Sequence, residues 1–163
     1  MARLFEVDLE KQDLIFSSAH FITFGNNICE SLHGHNYRVR AKVTGTLNEH
    51  GYVTDFILLQ RILKDIVRKL DHKMLLPRLH PNINVSEQGD ELTVRFENRR
   101  WVFPTDNCAL LPVDNTTAER IAEYIAESLV QHSDFQTNNL QRLQVAVDEN
   151  EGQWGVFTRD LDR

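Results

Sequence analysis

Apolar and polar residues alternate most regularly between His33 and Thr46. His33, His35, Tyr37, Val39, Ala41 and Val43 fall on one face; Asn36, Arg38, Arg40, Lys42 and Thr44 fall on the other. A period of two predicts a strand with one buried face, and here the outward face is basic, which is unusual for a plain surface strand. An extended segment from about Leu4 to His20 is rich in β-formers but broken by charge near Glu10 and Lys11. Gly25-Asn26-Asn27 signals a turn. The period then changes. Phe56, Leu59, Leu63, Ile66 and Leu70 recur at steps of three and four, predicting an amphipathic helix over 55–70 capped by Thr54 or Asp55. A second helix is expected over about 117–131, with Ile121, Ala122, Ile125, Leu129 and Val130 as its stripe and Thr116 with Glu119 as a capping box. Strands over 143–149 and 154–158, joined by a turn at 149–153, close the pattern.

Residues 77–112 interrupt this plan. Glu91–Phe96 and Arg99–Phe103 flank a short polar turn and predict an inserted β-hairpin, in which no catalytic pattern is visible. Neither repeats nor a linker divide the chain, so all 163 residues are expected to form one α+β domain with an insertion at about 77–112. An apolar share of 41% is enough for a real core. A net charge of -6 and a pI near 5.6 argue against nucleic acid or an anionic membrane as partner. No apolar stretch reaches the length of a membrane span, and no signal-peptide pattern opens the chain. Cys29 and Cys108 make no disulfide framework, which suits a reduced, cytoplasmic setting.

The candidate chemistry centres on Cys29-Glu-Ser-Leu-His33-Gly-His35. Histidines two apart on a strand present both imidazoles on one face. Such a pair suits Zn²⁺, whose catalytic sites take three protein ligands and keep one position open; His20, closing the first extended run, is the nearest third ligand. Gly34 lets the backbone sit close to a ligand or metal. Cys29 has three readings: a small buried hydrophobe, a fourth ligand closing a structural site, or a base whose thiol is acidified by the metal. A cupin site would need a Glu shortly after the second histidine, where Val39 and Arg40 stand. Asp71-His72 is either a helix end with histidine at the negative dipole or a carboxylate orienting an imidazole for proton transfer. Glu149, if buried, can accept the paired N–H groups of a guanidine-like heterocycle.

Taken in order, Phe16-Ser-Ser-Ala-His20, Cys29-x-x-x-His33-Gly-His35-Asn-Tyr37, Asp55-Phe56, Leu70-Asp71-His72-Lys-x-Leu75, Thr117-Ala-Glu119 and Val147-Asp-Glu149 resemble the 6-pyruvoyltetrahydropterin synthase / 6-carboxytetrahydropterin synthase family. The resemblance implies a T-fold: a four-stranded antiparallel sheet with two helices on one face, the sheets of three subunits closing a barrel and two trimers forming a homohexamer with intersubunit sites. It implies Zn²⁺ on His20, His33 and His35, Cys29 as proton-abstracting base, and Asp71 with His72 as a second proton-transfer pair. Glu149 would anchor a pterin, with Thr117 contacting it, and the basic strand face would line the barrel. The implied substrate is 7,8-dihydroneopterin triphosphate. The short Cys-to-His spacing resembles the branch that makes 6-carboxytetrahydropterin, for queuosine and related deazapurines; the other branch makes 6-pyruvoyltetrahydropterin. Asn150 departs from the Thr or Ser common after the glutamate. Two rivals are a dihydroneopterin aldolase-like activity and a non-catalytic zinc module with Cys29 as fourth ligand.

Overall fold

The structure is a computed structural model describing residues 3–25 and 27–161. Its elements run β1 Phe5–His20, β2 Thr23–Phe24, β3 Ile28–Cys29, β4 His33–Gly45, α1 Phe56–Arg68, β5 Lys73–Pro77, β6 Asn84–Gln88, β7 Glu91–Phe96, β8 Arg99–Pro104, β9 Cys108–Leu111, α2 Ala118–Val130, β10 Leu140–Asn150 and β11 Gln153–Asp160. Six strands form one sheet in the order β11-β10-β4-β1-β5-β9. The first four are antiparallel neighbours, as the T-fold requires. The sheet goes beyond the expected four strands, because β5 adds to β1 and β9 to β5, both in parallel. The insertion likewise exceeds a hairpin: β6, β7 and β8 make a separate three-stranded sheet. At the expected turn, Gly25 and Asn27 both adopt a positive φ of 56°; Asn26 lies outside the described residues.

Strand β1 explains why its pattern looked broken. Its pairing with β4 shifts between Glu10 and Ile15. Before that bulge the odd positions Val7 and Leu9 are buried; after it the even positions Leu14, Phe16, Ser18 and His20 are. Five residues of β1 there match two of β4, and an odd excess in one strand reverses which side faces the core. The bulge's charges are used, since Asp13 pairs with Lys64 and accepts from Gln60 (3.0 Å) on α1.

Both helices pack on one face of the sheet, where Val39, Val43, Leu143, Val145 and Val147 meet Leu59, Leu63, Ile121 and Ile125. Each such side chain, once buried, contributes roughly 1.5–3 kcal/mol. In α1 the buried stripe is Leu59, Ile62, Leu63, Ile66 and Val67, so Phe56, 52% exposed, is not part of it. Asp55 caps α1, its carboxylate accepting from the Ile57 N–H at 2.8 Å. The cap of α2 is Thr117, whose hydroxyl accepts from the Arg120 N–H at 3.4 Å, so the capping box expected from Thr116 and Glu119 is not the one used. Thr116 is fully buried and donates its hydroxyl to the Phe21 carbonyl instead (3.1 Å).

The basic face of β4 is balanced across the sheet. Arg40 pairs with Asp8, Lys42 with Glu6 and Asp8, and Arg38 with Asp148. The acidic partners lie on β1 and β10, which a one-strand reading does not reveal. A second apolar cluster sits apart from the main core. It joins Phe21, Cys29, Met74 and Leu76 to Leu92, Val94 and Phe96 of the insertion.

Candidate metal centre and active site

The register of β1 on β4 sets the site. His20 pairs directly with His33, and Ser18 with His35. Those positions share the inward face, so three imidazoles meet at one end of the sheet. One ligand atom each from His20, His33, His35 and Glu149 lie within 4.8 Å of one another. Gly34 serves this pairing, since a Cβ there would stand 3.1 Å from the Ser18 carbonyl oxygen, and it also lines the cavity beside His35.

The surroundings of His20 and His33 prepare Nε2 of each as a donor to a cation. His20 Nδ1 lies 2.8 Å from the Thr116 carbonyl, and His33 Nδ1 lies 2.7 Å from the Ser31 carbonyl. A carbonyl accepts only, so each Nδ1 carries the proton and each Nε2 a lone pair. The two Nε2 atoms then face each other at 3.2 Å. Two lone pairs at that distance repel unless a cation sits between them. Ligands on a tetrahedral ion with Zn–N of about 2.0–2.1 Å are about 3.3 Å apart, so the spacing fits zinc. Burial pushes His20 down to about 4, keeping it a neutral ligand at neutral pH. His35 Nε2 is buried, lies 3.3 Å from Glu149 Oε1 and forms no hydrogen bond, as expected of an atom reserved for a metal.

Asp71 and His72 follow α1, and their backbone holds them against β1. The Ser17 N–H donates to Asp71 Oδ1 (2.8 Å), and the His72 N–H donates to the Ser17 carbonyl (2.7 Å). His72 takes a positive φ of 57°, and its Nδ1 meets Asp71 Oδ2 at 2.9 Å. These contacts, the Ser17 N–H first, hold the Asp71 carboxyl below its ordinary range. A cavity of about 630 Å³ opens between His72 and His35. His35, Asn36, His72, Lys73, Phe103 and Asn107 line it, the last two from the insertion side.

Cys29 is buried and stands outside the four-residue group, its Sγ–H donating to the Glu30 carbonyl at 3.4 Å. Burial raises its thiol, and the Arg99 guanidinium opposes that rise. Glu149 lies against His35 within the histidine group rather than in a separate pocket. Thr117 does not open onto the His35–His72 cavity; it lines a neighbouring one of about 370 Å³ with His80 and Arg120. Sequence reading missed Glu30, whose Oε2 is 3.9 Å from His33 Nε2, and Arg99, which donates to the Cys29 carbonyl at 2.9 Å. Adjacency to Cys29 could have flagged Glu30. No local signal could have flagged Arg99.

Four antiparallel strands, two helices on one face and converging imidazoles at the sheet's end define the class: a T-fold protein built around a candidate metal site. The chain belongs to the 6-pyruvoyl tetrahydropterin synthase family, whose model matches residues 10–160. A Methanocaldococcus jannaschii protein provisionally named 6-carboxy-5,6,7,8-tetrahydropterin synthase is 33% identical over 151 residues, 91% of this chain and 92% of that protein. The 6-carboxy-5,6,7,8-tetrahydropterin synthase of Haemophilus influenzae is 25% identical over 123 residues, 72% and 79% of the two chains. The crystal structure of 6-pyruvoyl tetrahydropterin synthase from Plasmodium vivax matches with a TM-score of 0.90 at 30% identity, covering 98% of this chain and 99% of its own. Coverage that high takes in the segment 77–112. The family is one of lyase-type pterin synthases.

Proposed function

We propose that the protein converts 7,8-dihydroneopterin triphosphate and water to 6-carboxy-5,6,7,8-tetrahydropterin, releasing triphosphate and acetaldehyde, with Zn²⁺ held by His20, His33 and His35. The observation carrying this reading is the convergence of imidazole Nε2 atoms, two of them 3.2 Å apart, at a cavity shared by His35 and His72. When bound, the metal supplies Lewis-acid polarisation of the substrate's side-chain hydroxyls. Cys29 takes the proton from the carbon beside them. Asp71 orients His72 through the 2.9 Å contact, and His72 passes the second proton across the cavity. Glu149 has a second oxygen to accept from the pterin's aminopyrimidine N–H groups, and Thr117, which lines the neighbouring cavity, would contact a ring that extends towards it. The names of the archaeal and Haemophilus relatives favour the carboxy product, and with it a cytoplasmic role in queuosine or related deazapurine synthesis. The paired ionic face of β1, β4 and β10 suits the wall of a sheet barrel, and we assign the protein to a homohexamer of two trimers with sites between subunits.

A second reading rests on Glu30. It adjoins Cys29 and reaches within 3.9 Å of His33, giving the site a second proton acceptor. Structures of the Plasmodium vivax synthase include variants that replace a catalytic glutamate. A Pyrococcus furiosus protein, 35% identical over 60 residues (37% of this chain, 50% of its own), is named dihydroneopterin monophosphate aldolase. Aldol-type cleavage of the pterin side chain is therefore the alternative outcome. Product analysis by mass spectrometry of wild type, Cys29→Ala and Glu30→Gln separates the two. The main reading expects 6-carboxytetrahydropterin, lost in Cys29→Ala and retained in Glu30→Gln. A hydroxymethyl pterin lost only in Glu30→Gln would replace it with the second.

A further inference from the structure

The insertion reaches the loop that carries Cys29. Strands β7 and β8 join at a tight turn in which Glu97 adopts a positive φ of 50°. That turn brings Arg99, the first residue of β8, over the Cys29–Glu30 backbone. Arg99 Nη1 donates to the Cys29 carbonyl at 2.9 Å and lies 3.5 Å from the Glu30 carbonyl. The Glu30 carbonyl also accepts from the Cys29 thiol, so one guanidinium grips both ends of the thiol's own hydrogen-bonded turn. Behind it, the Cys29 side chain packs in the cluster formed by Phe21, Met74, Leu92, Val94 and Phe96, with Phe21 stacked on Trp101 at 4.6 Å. The opposite side of Cys29 is held by the two-residue pairing of β3 with β2 and by the Glu30 N–H, which donates to the Ile22 carbonyl at 3.0 Å. A loop so lightly hydrogen-bonded owes its position to what covers it.

We propose that Arg99 is a positioning residue for the catalytic thiol, and that the three-stranded insertion is the scaffold fixing the Cys29–Glu30 turn relative to the histidine centre. Resting as it does on the reading of Cys29 as base, the proposal needs a test that can fail separately from that reading. A guanidinium held at two carbonyls fixes direction as well as charge, which a lysine reproduces only in part. Three charged groups act on the thiol: Arg99 from β8, Glu97 from the β7–β8 turn and Glu30 beside it. Removing the guanidinium leaves two carboxylates that disfavour the thiolate.

The experiment uses zinc-loaded protein in a Cys108→Ser background, so that Cys29 is the only thiol. Its alkylation by iodoacetamide is followed as a function of pH, alongside steady-state turnover, for wild type, Arg99→Ala, Arg99→Lys and Arg95→Ala. Arg95 is an exposed residue of β7 in the same sheet and controls for loss of a charge. Arg99→Ala is expected to move the alkylation midpoint to higher pH and to lower kcat by about 10- to 100-fold with KM little changed. Arg99→Lys should restore part of both, and Arg95→Ala should match wild type. An unshifted midpoint in Arg99→Ala overturns the proposal, whether or not kcat falls, because a merely structural arginine would lower turnover without moving the thiol. If Cys29→Ala retains full turnover, the base reading fails, yet the alkylation midpoint still decides whether Arg99 governs the thiol.

Discussion

The antiparallel half of the molecule and the insertion face the same cavity but are built by different rules. Strands β1, β4, β10 and β11 with the two helices bury one continuous core, so each element carries its own period and each buried residue is supported by many partners. The insertion's β6, β7 and β8 form a small sheet whose buried side chains, Leu92, Val94 and Phe96, pack against Phe21, Cys29 and Met74 from the site itself. One region brings the three histidines together through strand register; the other meets Cys29 through Arg99 and a satellite cluster. We therefore expect stability to be concentrated in the first, and we propose that the second tunes the thiol.

The sharpest way to break this comparison is at the metal. Replacing His33 by Ala should abolish stable zinc binding and lower turnover by about 100-fold or more, while thermal unfolding of the main core changes little, since His33 is partly exposed and lies outside that core. Metal analysis after gel filtration, with calorimetry on the same sample, checks both halves. Next come two cavities of similar chemistry in the two regions. Leu63→Ala in α1, from a fully buried position, should cost about 2–5 kcal/mol of global stability in urea unfolding. Leu92→Ala, 1% exposed in β7, should instead raise amide exchange across β6–β8 and slow Cys29 chemistry more than it lowers the main transition. Equal global losses from both would mean that the insertion is not a separate unit.

Smaller effects sharpen the same contrast. Thr117→Ala should cost about 1 kcal/mol through loss of the α2 cap, with zinc content unchanged. Asp71 offers a pH test at the junction between α1 and the site. Its carboxyl is held below the usual value by the Ser17 N–H first and by His72. A group whose folded pKa is depressed stabilises the fold above its unfolded pKa and loses that contribution as pH falls through the folded one. Thermal melts from about pH 6 down to about pH 2 should thus lose stability more steeply in wild type than in Asp71→Asn below about pH 4.

Where the core is one-sided, the order of elements could be read from the chain. The alternation of 33–46 and the three-four spacing of α1 became β4 and α1 because each element faces water on one side and core on the other. Legibility failed where partners are distant. The bulge in β1 reversed the buried parity, the acidic partners of Arg40 and Lys42 lie 32 and 36 residues away, and β9 joins the sheet through β5 alone. In the site, the histidine set was visible as a motif, and the structure brings His20, His33 and His35 together. Arg99 was not visible, because its partner is a main-chain carbonyl 70 residues earlier, which leaves no trace in side-chain pattern.

The most direct measurement incubates zinc-loaded protein with 7,8-dihydroneopterin triphosphate and follows substrate, pterin product and acetaldehyde by mass spectrometry, before and after chelation. The account predicts 6-carboxytetrahydropterin and acetaldehyde in equal amounts, lost on removing zinc and restored on returning it. Full zinc occupancy with no consumption of the triphosphate, or turnover indifferent to chelation, would contradict it.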